Sequence, residues 1–164
     1  MRIGQGLDAH RLAPGRPLVL GGVRIPYDRG LEGHSDGDVL LHAIASALLG
    51  ALGEGDLGRH FPSSDPRLKG VASREILAQV VSFVHEAGLA LANLDATVVA
   101  EVPRLGPYVV QMEAAIAQVL GVPEERVNVK VTSTDALGAI GRGEGIAASA
   151  VVLLEPAATP EGPA

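Results

Sequence analysis

Residues 33–50, GHSDGDVLLHAIASALLG, change character in the middle, and that change sets the fold. The first six are polar residues and glycines without a period, which reads as a loop. From there Val39, Leu40, Ala43, Ile44, Ala47 and Leu48 recur at the spacing of one helical face. Asp36 or Asp38 can cap the helix, because a short acidic side chain accepts backbone N–H groups that the first turn leaves free. His42 lies one turn inside it. Upstream, residues 1–10 read as a strand, with Ile3 and Leu7 among small residues and the triplet Asp8-Ala9-His10 at its end. Residues two apart on a strand project from one face, so Asp8 and His10 can aim at one point. A helix start packed on that strand brings His42 to them. Two imidazoles and a carboxylate suit Zn²⁺, which binds such atoms at roughly 2.0–2.2 Å. A structural zinc takes four protein ligands, whereas three leave a position open for water or substrate. No cysteine exists to close the shell. A histidine on an apolar helical face is also commonly a plain core residue, and on spacing alone both readings stand.

Outward from this segment, Leu18–Leu20 and Val23–Ile25 flank Gly21-Gly22 as two short strands around a turn. Residues 30–37 read as a polar loop, and Gly50 to Pro66 as a long surface loop of the kind that usually serves function. Ser73 is expected to cap a second helix that runs to about Ala87 and stops at Gly88. Leu94 to Ala100 reads as a buried strand. Pro103 and Pro107 introduce a third helix, with Val110, Ala114, Ala117 and Leu120 on one face and Gly121 at its end. Val127 to Val131 alternates as a strand, and Ile146 to Leu154 follows G-R-G-E-G (141–145) as the last one. The order predicts an α+β fold: a small mixed sheet with helices on one face, plus an N-terminal hairpin. One domain over residues 1–155 is expected, with a disordered tail over 156–164. The other sheet face needs cover. Val98, Val129, Val131 and Val151 are apolar enough for an oligomer to supply it, the alternative being a closed two-layer monomer.

The chain has 164 residues and 47% hydrophobic content, enough for a real core, yet no run is apolar over the roughly 18 residues of a membrane span. No apolar segment follows the first residues as in a signal peptide, and the lack of cysteine fits a cytoplasmic protein. A net charge of −6 and 2% aromatics argue against nucleic acid, which asks for a basic face or stacking platforms.

Two further segments could carry chemistry. Gly33 to Asp38 joins a loop to a helix start, where backbone N–H groups with His34 and Ser35 form an anion site, or where Ser35, Asp36 and Asp38 merely shape the turn. Two carboxylates there disfavour phosphate unless a metal ion neutralises them. Thr132-Ser133-Thr134-Asp135 stands at a strand end before Gly138. Its hydroxyls suit phosphate oxygens and its carboxylate suits Mg²⁺, though a plain serine- and threonine-rich turn has the same composition. G-R-G-E-G lacks the lysine of a P-loop, and G-D-L-G (55–58) is a turn by default.

Together, D-A-H at 8–10, G-G-V-R-I-P at 21–26, H-S-D-G-D at 34–38, His42, G-D-L-G at 55–58, F-P at 61–62 and G-R-G-E-G-I-A at 141–147 resemble the 2-C-methyl-D-erythritol 2,4-cyclodiphosphate synthase family. The resemblance runs from Met1 to about Leu154 in the family's order and spacing. It implies conversion of 4-diphosphocytidyl-2-C-methyl-D-erythritol 2-phosphate to the cyclodiphosphate with release of CMP, in non-mevalonate isoprenoid synthesis. It also implies one Zn²⁺ per subunit on Asp8, His10 and His42, with Mg²⁺ or Mn²⁺ at the substrate diphosphate near Asp135. Positions matching the substrate site are Asp8, Ala9 and His10; His34 and Ser35; Asp56, Leu57 and Gly58; and Phe61, Pro62, Ser63, Ser64 and Asp65. Ala100, Pro103, Arg104, Leu105, Gly106, Val131, Thr132, Ser133, Thr134 and Asp135 match the cytidine and diphosphate positions. His34 and Ser133 match the two transition-state stabilisers. The family forms homotrimers with sites between subunits, around an axial cavity near Ala139, Arg142 and Glu144.

Five positions depart from the family's habit. Asp135 stands for Glu at the second metal, Ser133 for Thr, Ser63 for Asp, Arg104 for Lys, and Ala139 for a bulky Phe at the axial cavity. On the residues alone, a zinc phosphohydrolase also suits a three-ligand site, and a trimeric module with a structural metal is a third reading.

Overall fold

The computed structural model describes residues 1–157. The strands are β1 (Arg2–Pro14), β2 (Leu18–Leu20), β3 (Val23–Ile25), β4 (Arg29–Leu31), β5 (Leu89–Val99), β6 (Val127–Thr132) and β7 (Gly145–Pro156). The helices are α1 (Val39–Leu52), α2 (Leu57–His60), α3 (Ser73–Glu86), α4 (Val109–Leu120) and α5 (Gly138–Gly141). Five strands form one mixed sheet in the order β4-β1-β7-β5-β6, and β2 and β3 make a separate hairpin. Only β5 and β6 run parallel, joined by a crossover through α4; the other pairs are antiparallel. This is the expected α+β arrangement.

The core lies between the sheet and its helices. Leu94, Ala96 and Val98 of β5, Val127 and Val129 of β6, and Ile146, Ala148, Ala150, Val152 and Leu154 of β7 all face it. Helix α1 is apolar almost all round, with Leu40, Leu41, Ile44, Leu48 and Leu49 buried, as a helix packed on every side must be. Each of those side chains contributes about 1.5–3 kcal/mol by leaving water. Where β1 meets α1 the strand carries Gly4 and Gly6. A Cβ on either would collide with the Ala47 or Ala43 carbonyl oxygen, and on Gly6 would stand 2.7 Å from the Ala47 nitrogen. Glycine on the strand and alanine on the helix thus let two backbones touch. Ile3 (71% exposed) and Leu7 (69%) point to the opposite, open face, joined there by Val151.

Several expectations are corrected. Residues 30 and 31 of the presumed polar loop belong to β4, because β1 continues past His10 and pairs Leu12 with Leu31. The presumed long loop from Gly50 begins later, since α1 runs to Leu52, and α2 interrupts it with Asp56 as its cap. Ser73 is the first residue of α3 rather than its cap: Ala72 occupies that position and makes no side-chain cap bond. Met112, Ile116, Ala117 and Leu120 form the buried face of α4, and Val110 is exposed, so that face is offset from the expected one. Strand β5 starts at Leu89, five residues before the expected Leu94. Val98 and Val129 face the helices instead of the open side. Strand β7 includes Pro156, paired with Leu89, and the Ala157 N–H donates to the Gly88 carbonyl oxygen at 2.9 Å; residues 158–164 of the expected tail lie outside the described residues. No helix among the described residues is long and apolar enough to cross a membrane.

Candidate metal centre and the cavities around it

Asp8 and His10 leave β1 on the helix side of the sheet, and the tight β1–α1 contact brings His42 over them. Among the described residues, these three form the group whose ligand atoms all lie within 4.8 Å of one another. His10 Nε2 lies 2.8 Å from Asp8 Oδ2, His42 Nδ1 lies 3.0 Å from the same oxygen, and the two nitrogens are 3.2 Å apart. Neighbouring corners of a tetrahedron with bonds of about 2.0–2.1 Å are about 3.3 Å apart, so the set needs little adjustment to take one ion. The donor chemistry fits as well: two neutral imidazole nitrogens and one carboxylate suit zinc, with a fourth position left open.

The surroundings orient each donor. The Ala9 N–H donates to Asp8 Oδ1 at 2.9 Å, which leaves Oδ2 for the metal, while Ala9's own side chain is exposed on the sheet's other face. Burial works to raise the Asp8 carboxyl, but the hydrogen bonds from His10 and His42 outweigh it and hold it well below the usual carboxylate range. The hydrogen bond to Asp8 raises His10 above its ordinary 6.5, against an opposing effect of burial; a bond to the Glu32 backbone adds to the rise. A proton on His10 therefore competes with the metal. Affinity for a divalent ion such as Zn²⁺ is expected to fall as pH drops through this raised value, and binding near neutral pH should release a proton. Calorimetry in two buffers of different ionisation enthalpy reads that release directly; equal heats in both would contradict it.

Asp38, fully buried, ties the centre to the hairpin. Its carboxylate accepts N–H groups from Gly21 (2.9 Å), Gly22 (2.7 Å) and Leu41 (3.1 Å), capping α1 and gripping the β2–β3 turn together. Burial pushes it up to about 6 although all three N–H groups favour the anion. Of the two expected caps Asp38 serves α1, and Asp36 turns elsewhere: it accepts the Ser73 N–H at 3.2 Å and the Ser73 hydroxyl.

Three cavities bear on the expected substrate positions. One of about 230 Å³ opens on the metal ligands and is lined by His34, Ser35, Leu57, Phe61, Pro62 and Ser63 together with His10 and His42. A second, about 280 Å³, adjoins it at His34 and Ser35 and adds two cations, Arg16 and Lys69. The third, about 420 Å³, is lined by Ala100, Pro103, Arg104, Leu105, Gly106, Val131, Thr132 and Ser133, with Glu101 and Pro107. It shares no lining residue with the other two. Asp56 and Gly58 are exposed at the start of α2, outside all three linings, and Ser64 and Asp65 also fall outside them. Arg67 donates to both carboxylate oxygens of Asp65, Nε to Oδ1 at 3.0 Å and Nη2 to Oδ2 at 2.7 Å. Thr134 and Asp135 follow the third cavity; Asp135 (φ 51°) and Ala136 (φ 62°) take left-handed backbone, which alanine adopts rarely. Ala139 and Arg142 are exposed, and Arg142 Nε donates to Glu144 Oε1 at 2.6 Å.

Arg16, Lys69, Glu101 and Ser73 were not among the expected site residues. Arg16 and Lys69 carried no spacing signal. Ser73 did carry one, a serine at a helix start, but it pointed to a cap.

The YgbB family model matches residues 1–155. The chain is 57% identical over 154 residues to the 2-C-methyl-D-erythritol 2,4-cyclodiphosphate synthase of Geobacillus kaustophilus, covering 94% of this chain and 98% of that one. It is 60% identical over 154 residues to the synthase of the same name from Moorella thermoacetica, covering 94% of each. A solved 2C-methyl-D-erythritol-2,4-cyclodiphosphate synthase in its CDP-bound form superimposes with a TM-score of 0.86 at 36% identity, over 94% of this chain and all of that one. The bifunctional IspDF of Campylobacter jejuni superimposes with a TM-score of 0.90 at 44% identity. That match covers 93% of this chain but spans only 42% of the bifunctional protein.

Proposed function

Because this chain belongs to the YgbB family of 2-C-methyl-D-erythritol 2,4-cyclodiphosphate synthases, we propose that its reaction centre is shared between subunits of a homotrimer, with zinc on Asp8, His10 and His42. The enzyme converts 4-diphosphocytidyl-2-C-methyl-D-erythritol 2-phosphate to 2-C-methyl-D-erythritol 2,4-cyclodiphosphate and CMP, as a phosphorus–oxygen lyase of non-mevalonate isoprenoid biosynthesis. It does so in the cytoplasm, which the cysteine-free sequence fits. The observation that supports the shared centre is that the cavities are lined by different residues. The metal-side pair and the Ala100–Ser133 cavity have no residue in common within one chain, yet the substrate has a phosphate at one end and a cytidine at the other. The apolar residues on the open sheet face, Ile3, Leu7 and Val151, support packing of the sheets around a threefold axis.

The reaction forms a bond from an oxygen of the 2-phosphate to the β-phosphorus and breaks the bond from that phosphorus to the oxygen it shares with the α-phosphate. CMP leaves with the electron pair. A phosphate monoester is mostly ionised near neutral pH, its second pKa being about 6, so the protein supplies positioning and charge neutralisation rather than a strong base. When bound, zinc supplies Lewis acidity toward a phosphate oxygen at its open position. His34, with Arg16 and Lys69 beside it, receives the phosphate end, and Phe61, Pro62 and Ser63 enclose the methylerythritol. From the neighbouring subunit, Ala100 to Gly106 receive the cytidine and Thr132 to Asp135 the diphosphate. His34 and Ser133 donate hydrogen bonds as charge builds on the phosphoryl oxygens. The relative solved with CDP supports the nucleotide half of this reading.

Mixing separates the shared centre from one held within a chain. Asp8→Ala chains and Ser133→Ala chains, each inactive alone, should regain activity when their subunits exchange, since some interfaces then carry both intact halves. No recovery after verified exchange would place both halves in one chain.

Asp135 offers one exposed carboxylate, to which the Ser133 hydroxyl donates at 3.4 Å. A single oxygen donor suits Mg²⁺, which keeps its other ligands as water and substrate phosphate. Asp135→Asn is expected to raise the Mg²⁺ or Mn²⁺ concentration needed for half-maximal rate by about tenfold, the loss of one charged ligand, with zinc still bound. An unchanged metal dependence would make Asp135 a turn residue only.

A further inference from the structure

The side of His42 that faces away from Asp8 and His10 is as organised as the side that faces them. His42 Nε2 lies 2.9 Å from Ser73 Oγ and 3.1 Å from Ser35 Oγ, all three residues being buried. Ser73 Oγ in turn contacts Asp36 Oδ1, and Ser35 Oγ accepts the Gly37 N–H at 3.1 Å. Asp36 is held by two backbone N–H groups: Asp38 donates to Oδ1 at 3.3 Å and Ser73 to Oδ2 at 3.2 Å. Asp36 thereby supplies, from a different loop, the acceptor that the uncapped start of α3 lacks.

Ser35 Oγ lies 3.2 Å from Ser73 Oγ as well, and the proton order of the cluster is fixed once a metal ion occupies His42 Nδ1. An ionised carboxylate accepts and does not donate, so the single hydroxyl proton of Ser73 goes to Asp36. The Ser73 oxygen then turns lone pairs toward His42, and a hydrogen bond between them requires the proton on Nε2. In the metal-free centre the Asp8 carboxylate, 3.0 Å from Nδ1, draws a proton to that atom; with a metal ion on Nδ1 the ring's one proton stands on Nε2 and points at Ser73 Oγ. We propose that Ser73 and Asp36 are positioning residues for His42: through the chain Nε2–H to Ser73 Oγ and Ser73 Oγ–H to Asp36 they hold the ring in the metal-binding tautomer and orientation. Metal-binding histidines usually donate their second nitrogen directly to a carboxylate or carbonyl. Here a serine stands between. The arrangement also commits the Ser35 hydroxyl to the protein interior, so Ser35 meets substrate chiefly through its backbone. This inference rests on the three-ligand metal centre proposed above.

The test reads the His42 Nε2–H first, in unmodified zinc-loaded protein, by ¹H–¹⁵N correlation of the histidine rings. That proton should be held back from exchange with water by its bond to Ser73; an Nε2–H that exchanges as freely as that of an exposed imidazole overturns the proposal whatever any variant does. Zinc affinity is then measured against a competing chelator without substrate. Ser73→Ala should bind zinc about 10–100-fold more weakly, and its His42 Nε2–H should exchange faster. Wild-type affinity in a folded Ser73→Ala protein also overturns the relay. Failure of the unmodified protein to bind zinc would instead strike the metal centre itself, so the two failures are distinguishable.

Discussion

His42→Ala is expected to purify folded, without zinc, and with turnover reduced about a thousandfold or more. The magnitude follows from the metal's role: charge stabilisation worth several kcal/mol is lost, and each 1.36 kcal/mol is a factor of ten in rate. Only Asp8 and His10 would remain as protein donors, too few for a stable zinc site. The structural penalty is smaller. Ser35 and Ser73 lose a partner, which costs about 1–3 kcal/mol, while Leu41, Ile44 and the rest of α1 keep their packing. Metal analysis, turnover and circular dichroism on one preparation separate the two effects. Full zinc occupancy in the variant would remove His42 from the ligand set.

Gly6→Ala should do comparable damage from a residue that touches no substrate. The new Cβ would collide with the Ala43 carbonyl oxygen and stand 2.7 Å from the Ala47 nitrogen, both backbone atoms that no side-chain rotation can move. To reach ordinary contact at 3.4 Å from that nitrogen alone, α1 must retreat by at least 0.7 Å (3.4 − 2.7). His42 rides on the same turn, so its distances to Asp8 and His10 would open with it. The expected result is a loss of about 3 kcal/mol, or roughly 6–12 °C in melting temperature for a domain of this size, with weakened zinc binding. Gly50→Ala is the natural control. It lies on the same helix, and its Cβ would meet only the Gln5 carbonyl oxygen at an ordinary 3.7 Å. That change should stabilise by about 0.5–1 kcal/mol, the usual gain of alanine over glycine inside a helix. If Gly6→Ala melted as the wild type does, close backbone contact would not be what seats α1 on β1.

The two variants mark where local pattern ends and packing begins. By itself the sequence determined most of the longer elements and the candidate ligand set: the periodicity after Val39 specifies α1, Gly21-Gly22 the hairpin turn, and the two-residue step from Asp8 to His10 puts both side chains on one face of β1. These are properties of a residue and its near neighbours, which is why they can be read along the chain. The tertiary structure alone decided what stands opposite each face. Ile3 and Leu7 look like the core positions of β1, yet the core side belongs to Gly4 and Gly6, because α1 needs room there and a period of two cannot say which face a helix will cover. Ser73 reads as a cap, but its hydroxyl turns to Asp36 and His42, partners 37 and 31 residues away. Arg16 and Lys69 share one cavity although 53 positions (69 − 16) separate them. Partners so distant in the chain meet only when the sheet, the hairpin and α3 pack on α1, and that packing is decided by the shapes of all of them together.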